Sequence, residues 1–311
     1  MNVLMPSLSV YAPPGVQLAA VINPQVSVIV VAYNTGPALF ECIRTVLEQP
    51  RVDELILVDN GSTEEDAARL RRIAEGDARM LLFQGHGNIG FAKGANAGAS
   101  AARGRWLIFL NPDAFLGAGT VETLVEAARK GRGPCIVGAR VMNADGTEQQ
   151  GGRRAEITPF TALLTFLHLT RGKLRQYEIH REHDQLPTHA VETAAVSGAC
   201  FCVSRADFAS LRGFDGGYFL HVEDVDLCWR ARQAGGQVLF EPRAEVVHLG
   251  HTSLTSPLRV EYHKGRGIAR YFRKRAEGKR RRAMAYLLSP LIIAAALGRA
   301  IVQRRRPNRD A

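Results

Sequence analysis

VSVIVVAYN (26–34) sets the reading of the whole chain: an apolar, mostly β-branched run of strand length that leads into the turn-forming Tyr33-Asn34-Thr35-Gly36. Runs of the same kind recur downstream as ELILVD (54–59), RMLLF (79–83), RWLIFL (105–110) and CIVGA (135–139). Between them, 37–49, 63–75, 91–102 and 120–130 carry helical spacing, with Thr63 and Thr120 as expected N-caps. Strands alternating with helices predict an α/β fold with a mostly parallel central sheet. The reversals YNTG, DNGS and NPDA fall directly after strand ends, and in such sheets ligands sit in the crevice beyond those ends. Order is expected again at VSGACFCVSR (196–205), in a helix over 223–235 and in a strand-like run over 238–251. Residues 141–192 show a Gly/Arg stretch, a candidate helix near 159–171 and a polar His-rich segment, and they read as an excursion over a binding face without an assigned fold.

A hydrophobic content of 46% with 23% charged residues over 311 residues excludes a disordered chain and supplies at least one sizeable core. The net charge of +10 invites a nucleic-acid or membrane reading, and its distribution tests that. Residues 264–311 hold 15 Lys+Arg and two acids, Glu277 and Asp310, a balance of +13, whereas residues 1–263 hold 25 basic and 28 acidic side chains, or −3. The organisation expected is therefore an N-terminal extension (1–24), a main α/β domain (25–263) and a basic tail (264–311). Cys42, Cys135, Cys200, Cys202 and Cys228 lack disulfide or zinc spacing, which fits a reduced cytosolic setting, and Cys200 and Cys202 read as a same-face core pair. Met1 to Pro24 lacks the basic start and continuous apolar core of a signal peptide and reads as a loosely ordered extension.

Several loop motifs follow one another in order: VSVIVVAYN (26–34), LILVDNGS (55–62), NIGFAKGANAG (88–98), FLNPDA (109–114), SGACFCVSR (197–205), GGYFLHVEDVDLCWRARQAG (216–235) and VVHLGHTS (246–253). This ordered set resembles the family 2 glycosyltransferases, and within them the rhamnosyltransferase-like branch. The resemblance covers roughly 26–252 and implies the Rossmann-like GT-A fold. It also implies an inverting transfer of a sugar from a nucleotide diphosphate donor, dTDP-rhamnose or another dTDP/UDP-sugar, to a hydroxyl of a cell-envelope or lipid-linked glycan.

The residues themselves carry chemistry. Asp59 ends a strand and precedes Asn-Gly-Ser, so its carboxylate can accept an N–H from a pyrimidine, cap an Asx-turn, or do both. Tyr33 and Asn34 end the neighbouring strand and are expected beside the base and ribose. NIGFAKGANAG opens a helix whose N-terminus can face a phosphate, although its small residues also suit close helix–sheet packing. Asn88, Lys93 and Asn96 are the polar positions that the resemblance places against the donor. Asn111-Pro112-Asp113 stands where GT-A enzymes carry a D-x-D. Asp113 can hold a divalent cation, Mg²⁺ or Mn²⁺, which would neutralise a diphosphate leaving group, with Asn111 as a neutral neighbour. A lone His is usually structural or exposed, but the resemblance makes His248, rather than His251, the residue expected to complete that site. Glu223 and Asp224 open a helix; an acidic first turn ordinarily complements the helix dipole, but the resemblance makes Asp224 the general base and Glu223 its or the acceptor's orienting partner. Arg230 and Arg232 can pair with phosphate or with that acidic start.

Residues 264–282 contain ten Lys+Arg and one Glu, and the uncharged stretch AMAYLLSPLIIAAALG (283–298) follows. Sixteen uncharged residues interrupted by Pro290 fall short of a spanning helix and fit an interfacial anchor at the inner face of the membrane, the alternative being a packing or dimerisation helix with solvated flanks. Without aromatic interleaving, nucleic acid is not an expected partner. Oligomeric state is left open. The competing readings are a metal-dependent nucleotidyltransferase, which has no need of Asp224 as a base, and a non-enzymatic basic membrane or nucleic-acid adaptor, which has no need of Asp113.

Overall fold

A computed structural model describes residues 9–11, 25–167, 169–250, 252–253 and 255–305. Its strands are β1 (Ser9–Tyr11), β2 (Val26–Ala32), β3 (Glu54–Asp59), β4 (Met80–Gln84), β5 (Trp106–Leu110), β6 (Ala114–Leu116), β7 (Cys135–Met142), β8 (Arg153–Arg154), β9 (Val191–Glu192), β10 (Ala195–Val196), β11 (Cys200–Ser204) and β12 (Gln237–His248). Its helices are α1 (Pro37–Leu47), α2 (Glu64–Gly76), α3 (Phe91–Ala101), α4 (Thr120–Lys130), α5 (Pro159–Phe166), α6 (Arg205–Ser210), α7 (Glu223–Gln233), α8 (Pro257–Arg275) and α9 (Gly278–Arg305).

The main sheet runs β1-β4-β3-β2-β5-β11-β7-β12-β6, with β9 also on β12. Its β4-β3-β2-β5 half is parallel, as is β7-β12, while β11 lies antiparallel between β5 and β7. This is the mostly parallel GT-A sheet expected. The strands are apolar on both faces because both are covered. Val28, Val30 and Ala32 face a layer holding α1, α2 and α4, and Ile29 and Val31 face one holding α3, α6, α7 and α8.

Local chemistry explains the boundaries, with one exception. Thr63 caps α2 by accepting from the Asp66 N–H at 3.2 Å. Thr120 is not a cap: Gly119, at φ 72°, precedes the helix, and the Thr120 hydroxyl donates to the Glu245 carbonyl at 2.7 Å. Tertiary pairing has taken the side chain that local pattern assigned to capping. Cys200 and Cys202 are buried on one face of β11, as expected. All five cysteines are free and buried, and burial pushes the Cys200 and Cys228 thiols up to about 12, which leaves them inert. Of the N-terminal extension, Ser9–Tyr11 pairs antiparallel with β4; residues 1–8 and 12–24 lie outside the described residues.

The tail is tied to the body. α8 starts before residue 264 and buries Tyr271 and Phe272 in the core. Arg270 and Lys274 pair with Asp215 at 2.8 and 2.9 Å, and Lys274 also meets Asp226 at 2.6 Å. α9 then returns along α8, with Gly265 against Ala296 and Ile293. It runs 28 residues straight through Pro290, longer than the apolar stretch suggested, and Gly278–Ile301 is by length and composition sufficient to cross a membrane.

α3 lies close on the sheet because Gly94 and Gly98 have no side chain: a Cβ would stand 2.9 Å from Val31 Cγ1 at Gly94 and 2.8 Å from Ile29 Cγ2 at Gly98. Gly98→Val should therefore lose about 1–3 kcal/mol by overpacking in chemical denaturation. Ser100→Ala, on the exposed side of the same helix, should lose none.

Candidate active site

Three strand ends and one helix start meet on the crevice side of the sheet. The chain leaves β5 through a turn in which the Ala114 N–H donates to the Asn111 carbonyl at 3.1 Å, then forms β6 antiparallel to β12 with Ala114 opposite His248. That register places His248 beside Asp113: Nε2 lies 3.1 Å from Asp113 Oδ1 and 3.2 Å from Asn111 Nδ2. Thr252 donates to Asp113 Oδ2 at 2.9 Å. Gln149 settles the imidazole. Its amide nitrogen donates to the His248 carbonyl at 3.1 Å and to Asn143 Oδ1 at 3.0 Å, so its Oε1, 2.6 Å from Nδ1, accepts the Nδ1 proton. Nε2 thus turns its lone pair toward the Asn111 amide and the Asp113 carboxylate, and a cation between imidazole and carboxylate would meet both.

These residues fit a divalent ion. Among the described residues no three His, Cys, Asp or Glu side chains converge as a metal cage. One carboxylate, one imidazole and the Asn111 amide would leave the remaining positions to phosphate oxygens and water, as Mg²⁺ sites beside phosphates commonly do. His251 lies outside the described residues.

The strand ends to one side carry the expected nucleotide residues. Asp59 takes part in the Asx-turn, accepting at Oδ1 from the Gly61 N–H (3.0 Å) and the Ser62 hydroxyl (2.9 Å), and at Oδ2 from Gln84 Nε2 (2.9 Å). Three donors leave one of a carboxylate's roughly four lone-pair sites. Asn34, at φ 45°, joins its N–H to the Gly61 carbonyl at 3.1 Å, and the Tyr33 ring lies against Gly61, so the ends of β2 and β3 form one unit. Asn88 Oδ1 accepts the Gly90 N–H at 3.0 Å and shapes the entry to α3; Lys93 is exposed one turn on, beside Gly216. Asn96 departs from expectation. Its amide pairs at both ends with the Phe214 backbone, at 2.8 and 2.9 Å, so it joins α3 to the 213–219 loop instead of facing a donor.

That loop carries the chain into α7. His221 and Val222 hold φ values of 67° and 74°, a left-handed conformation that a β-branched residue adopts only under tertiary constraint. α8 supplies part of it, since Gly267 lies so close that a Cβ there would be 3.0 Å from the His221 carbonyl. Both carboxylates that follow are buried. Asp224 Oδ2 accepts from Arg154 Nη1 (3.0 Å) and the Gly198 N–H (2.9 Å), and Oδ1 from the Val225 N–H (2.8 Å). Burial works to raise its pKa, but the charge and hydrogen bond of Arg154 with the two N–H groups bring it below the usual carboxylate value. Glu223 has the opposite environment: burial, reinforced by the Asp224 charge, pushes its pKa up to about 8, and Oε2 has no hydrogen-bond partner in the structure. The surroundings thus favour the charged form of Asp224 and the neutral form of Glu223.

A cavity of about 1660 Å³ joins these groups, lined by Asn111, Gln149 and His248 at one end and by Arg154, Glu223 and Asp224 further along. Arg154 was not foreseen as a site residue; its signal was the GGRR stretch (151–154), but no periodicity located it. It sits on β8, whose pairing with β10 brings it over α7. Arg230 and Arg232 prove structural: Arg230 binds Asp226 at 2.8 Å and the Gly213 carbonyl at 2.7 Å, and Arg232 pairs with Glu156 at 2.6 Å.

A carboxyl whose folded-state pKa exceeds its unfolded value costs stability as pH rises through the window between them. For Glu223 that window runs from about 4.5 to about 8. Glu223→Gln should therefore denature at a higher midpoint than the parent at pH 8 and show little gain at pH 4. Parallel pH curves for the two proteins would contradict the assigned environment.

Comparison with known proteins agrees with this geometry. The family model Glycosyl transferase family 2 matches residues 27–196. The chain is 27% identical over 237 residues to the N-acetylglucosaminyl-diphospho-decaprenol L-rhamnosyltransferase of Mycobacterium tuberculosis, covering 71% of this chain and 75% of that protein. It is 24% identical over 220 residues to the rhamnosyltransferase WbbL of Escherichia coli K12, covering 67% and 79%. Its fold is similar to that of GalNAc-T7 crystallised with UDP, GalNAc and Mn²⁺, at a TM-score of 0.63 and 19% identity, covering 88% of this chain and about half (52%) of that one. The matched strands, the crevice they form and the extent of the family match place this chain in glycosyl transferase family 2, as a GT-A glycosyltransferase.

Proposed function

We propose that the enzyme moves a sugar, with rhamnose the favoured candidate, from a dTDP- or UDP-sugar to a hydroxyl of a lipid-linked cell-envelope glycan, with inversion and with a divalent cation, at the inner face of the membrane. The observation that carries this reading is that the Asn111/His248 end and the Glu223/Asp224 end open onto a single cavity. The two rhamnosyl relatives support the sugar, and the diphospho-decaprenol substrate in the name of one of them supports the acceptor class. The free, buried cysteines and α9 support the location.

In this reading Asp59 uses its remaining lone pair on a pyrimidine N–H, with Tyr33 and Asn34 beside the base and ribose. Asn88 shapes the loop against the donor and Lys93 reaches its phosphates. Asp113, His248 and Asn111 hold Mg²⁺ or Mn²⁺. When bound, that ion supplies the charge that offsets the departing nucleoside diphosphate. Asp224, kept ionised by Arg154, takes the proton of the acceptor hydroxyl as its oxygen attacks the anomeric carbon from the face opposite the leaving group. Glu223, kept protonated, donates a hydrogen bond to the acceptor and orients it.

Heating the protein with a panel of nucleotide sugars in Mg²⁺ or Mn²⁺ should raise its melting temperature with a dTDP- or UDP-sugar. Asp224→Asn should cut kcat by about 10²–10⁴-fold while retaining that shift. Asp113→Ala should lose the part of the shift that depends on the divalent ion. Normal turnover in Asp224→Asn, or no shift with any donor, would overturn the assignment.

A further inference from the structure

The C-terminal helix is not the only apolar surface the chain leaves uncovered. On α5, Phe160 (55% exposed) and Leu163 stand at helical spacing with their side chains exposed, and Leu167, Leu169 and Leu174 are exposed just beyond the helix. Leu164 of the same helix is buried. On α9, Met284, Leu287 (76% exposed), Leu288 and Leu291 form a second stripe at i, i+3, i+4 and i+7. Soluble monomers seldom expose contiguous apolar patches of this kind without a partner.

Two further observations identify the partner. Each patch is bordered by exposed cations: Arg171 and Lys173 beside α5, and Lys279, Arg280, Arg281 and Arg282 at the start of α9. The two helices also wall the same cavity. Ala162, Thr165 and Phe166 of α5 line it on one side and Ala295, Gly298 and Arg299 of α9 on another. Glu223 and Asp224 line it as well. The cavity that reaches these carboxylates is thus walled by two helices whose outer faces are apolar and cation-bordered. A folded protein partner seated on both would cover the cavity; a lipid surface would feed it.

We propose that α5 with Leu167, Leu169 and Leu174 forms a second membrane-docking element, which together with α9 seats the protein on an anionic phospholipid bilayer and turns the mouth of the cavity toward the lipid. The proposal rests on the reading of α9 as a membrane-apposed helix and adds the α5 surface and the orientation to it. Apolar side chains enter the headgroup boundary and the flanking cations meet anionic lipid, so binding requires both terms.

Sedimentation of the full chain with vesicles of phosphatidylcholine alone, or with phosphatidylglycerol added, tests this. The parent should bind the mixed vesicles and leave the neutral ones largely unbound. Phe160→Glu with Leu163→Glu should weaken binding by about tenfold or more although α9 is intact, as should Leu287→Glu with Leu291→Glu. Both pairs are exposed and outside the catalytic groups, so melting temperature and the donor-induced shift should stay those of the parent. Unchanged vesicle binding by the α5 variant overturns the proposal, as does equal binding to neutral vesicles. If instead the α5 variant breaks up a dimer seen by sedimentation equilibrium while vesicle binding persists, the surface serves a second copy of the chain and the proposal fails. A parent that binds vesicles but shows no shift with any nucleotide sugar would count against the proposed transfer alone.

Discussion

The pairing of β6 with β12 is the constraint on which the candidate site depends. Three residues of β6 lie antiparallel to the end of a twelve-residue strand, with Ala114 opposite His248. Because β12 is also held in parallel register by β7, the position of His248 is determined by the core. A slip of one residue would turn the imidazole to the other face of the sheet and away from Asp113. The contact between Nε2 and Asp113 Oδ1 therefore joins two segments far apart in the chain.

The other half of the site is held by a different device. An acidic helix start is ordinary, but here both carboxylates are buried and their environments diverge. Arg154 and two backbone N–H groups favour the charged form of Asp224, and this nearby negative charge adds to burial in favouring the neutral form of Glu223. Two adjacent acids thus receive different protonation states from their surroundings, which is how a base and a proton donor can work side by side at one pH. The left-handed His221-Val222 turn that aims them is braced by Gly267 of α8. The same helix meets α9 two residues earlier, at Gly265. The basic tail consequently belongs to the frame of the candidate site, and several of its cations are spent on Asp215, Asp226, Glu156 and Glu261.

Much of the frame was legible because it is local. Strand-length apolar runs, the Thr63 cap and the reversals after strand ends follow from backbone sterics and nearest-neighbour hydrogen bonding, and each appears where the pattern put it. Asp113 was identifiable as a candidate for the same reason, as a carboxylate beside Pro in a post-strand turn. An acidic helix start, by contrast, reads locally as a dipole complement, and Asp224 was singled out only through the family resemblance. Thr120 and Asn96 were misread where a distant partner competed. The Glu245 carbonyl claimed the first and the Phe214 backbone the second, and neither partner is visible within a sequence window.

Sequence alone determined the α/β alternation, the post-strand loops that form the crevice and the concentration of positive charge after residue 264, because these depend on composition and on contacts a few residues apart. Tertiary structure alone decided that β11 runs antiparallel between two parallel halves, that Arg154 meets Asp224 across 70 residues, that Gln149 orients His248, and that α5 and α9 flank one cavity. The physical reason is the same in each case. Electrostatic environment and exposure are properties of what packs around a residue, and that packing is set by sheet register and helix docking between segments whose separation along the chain carries no periodic signal.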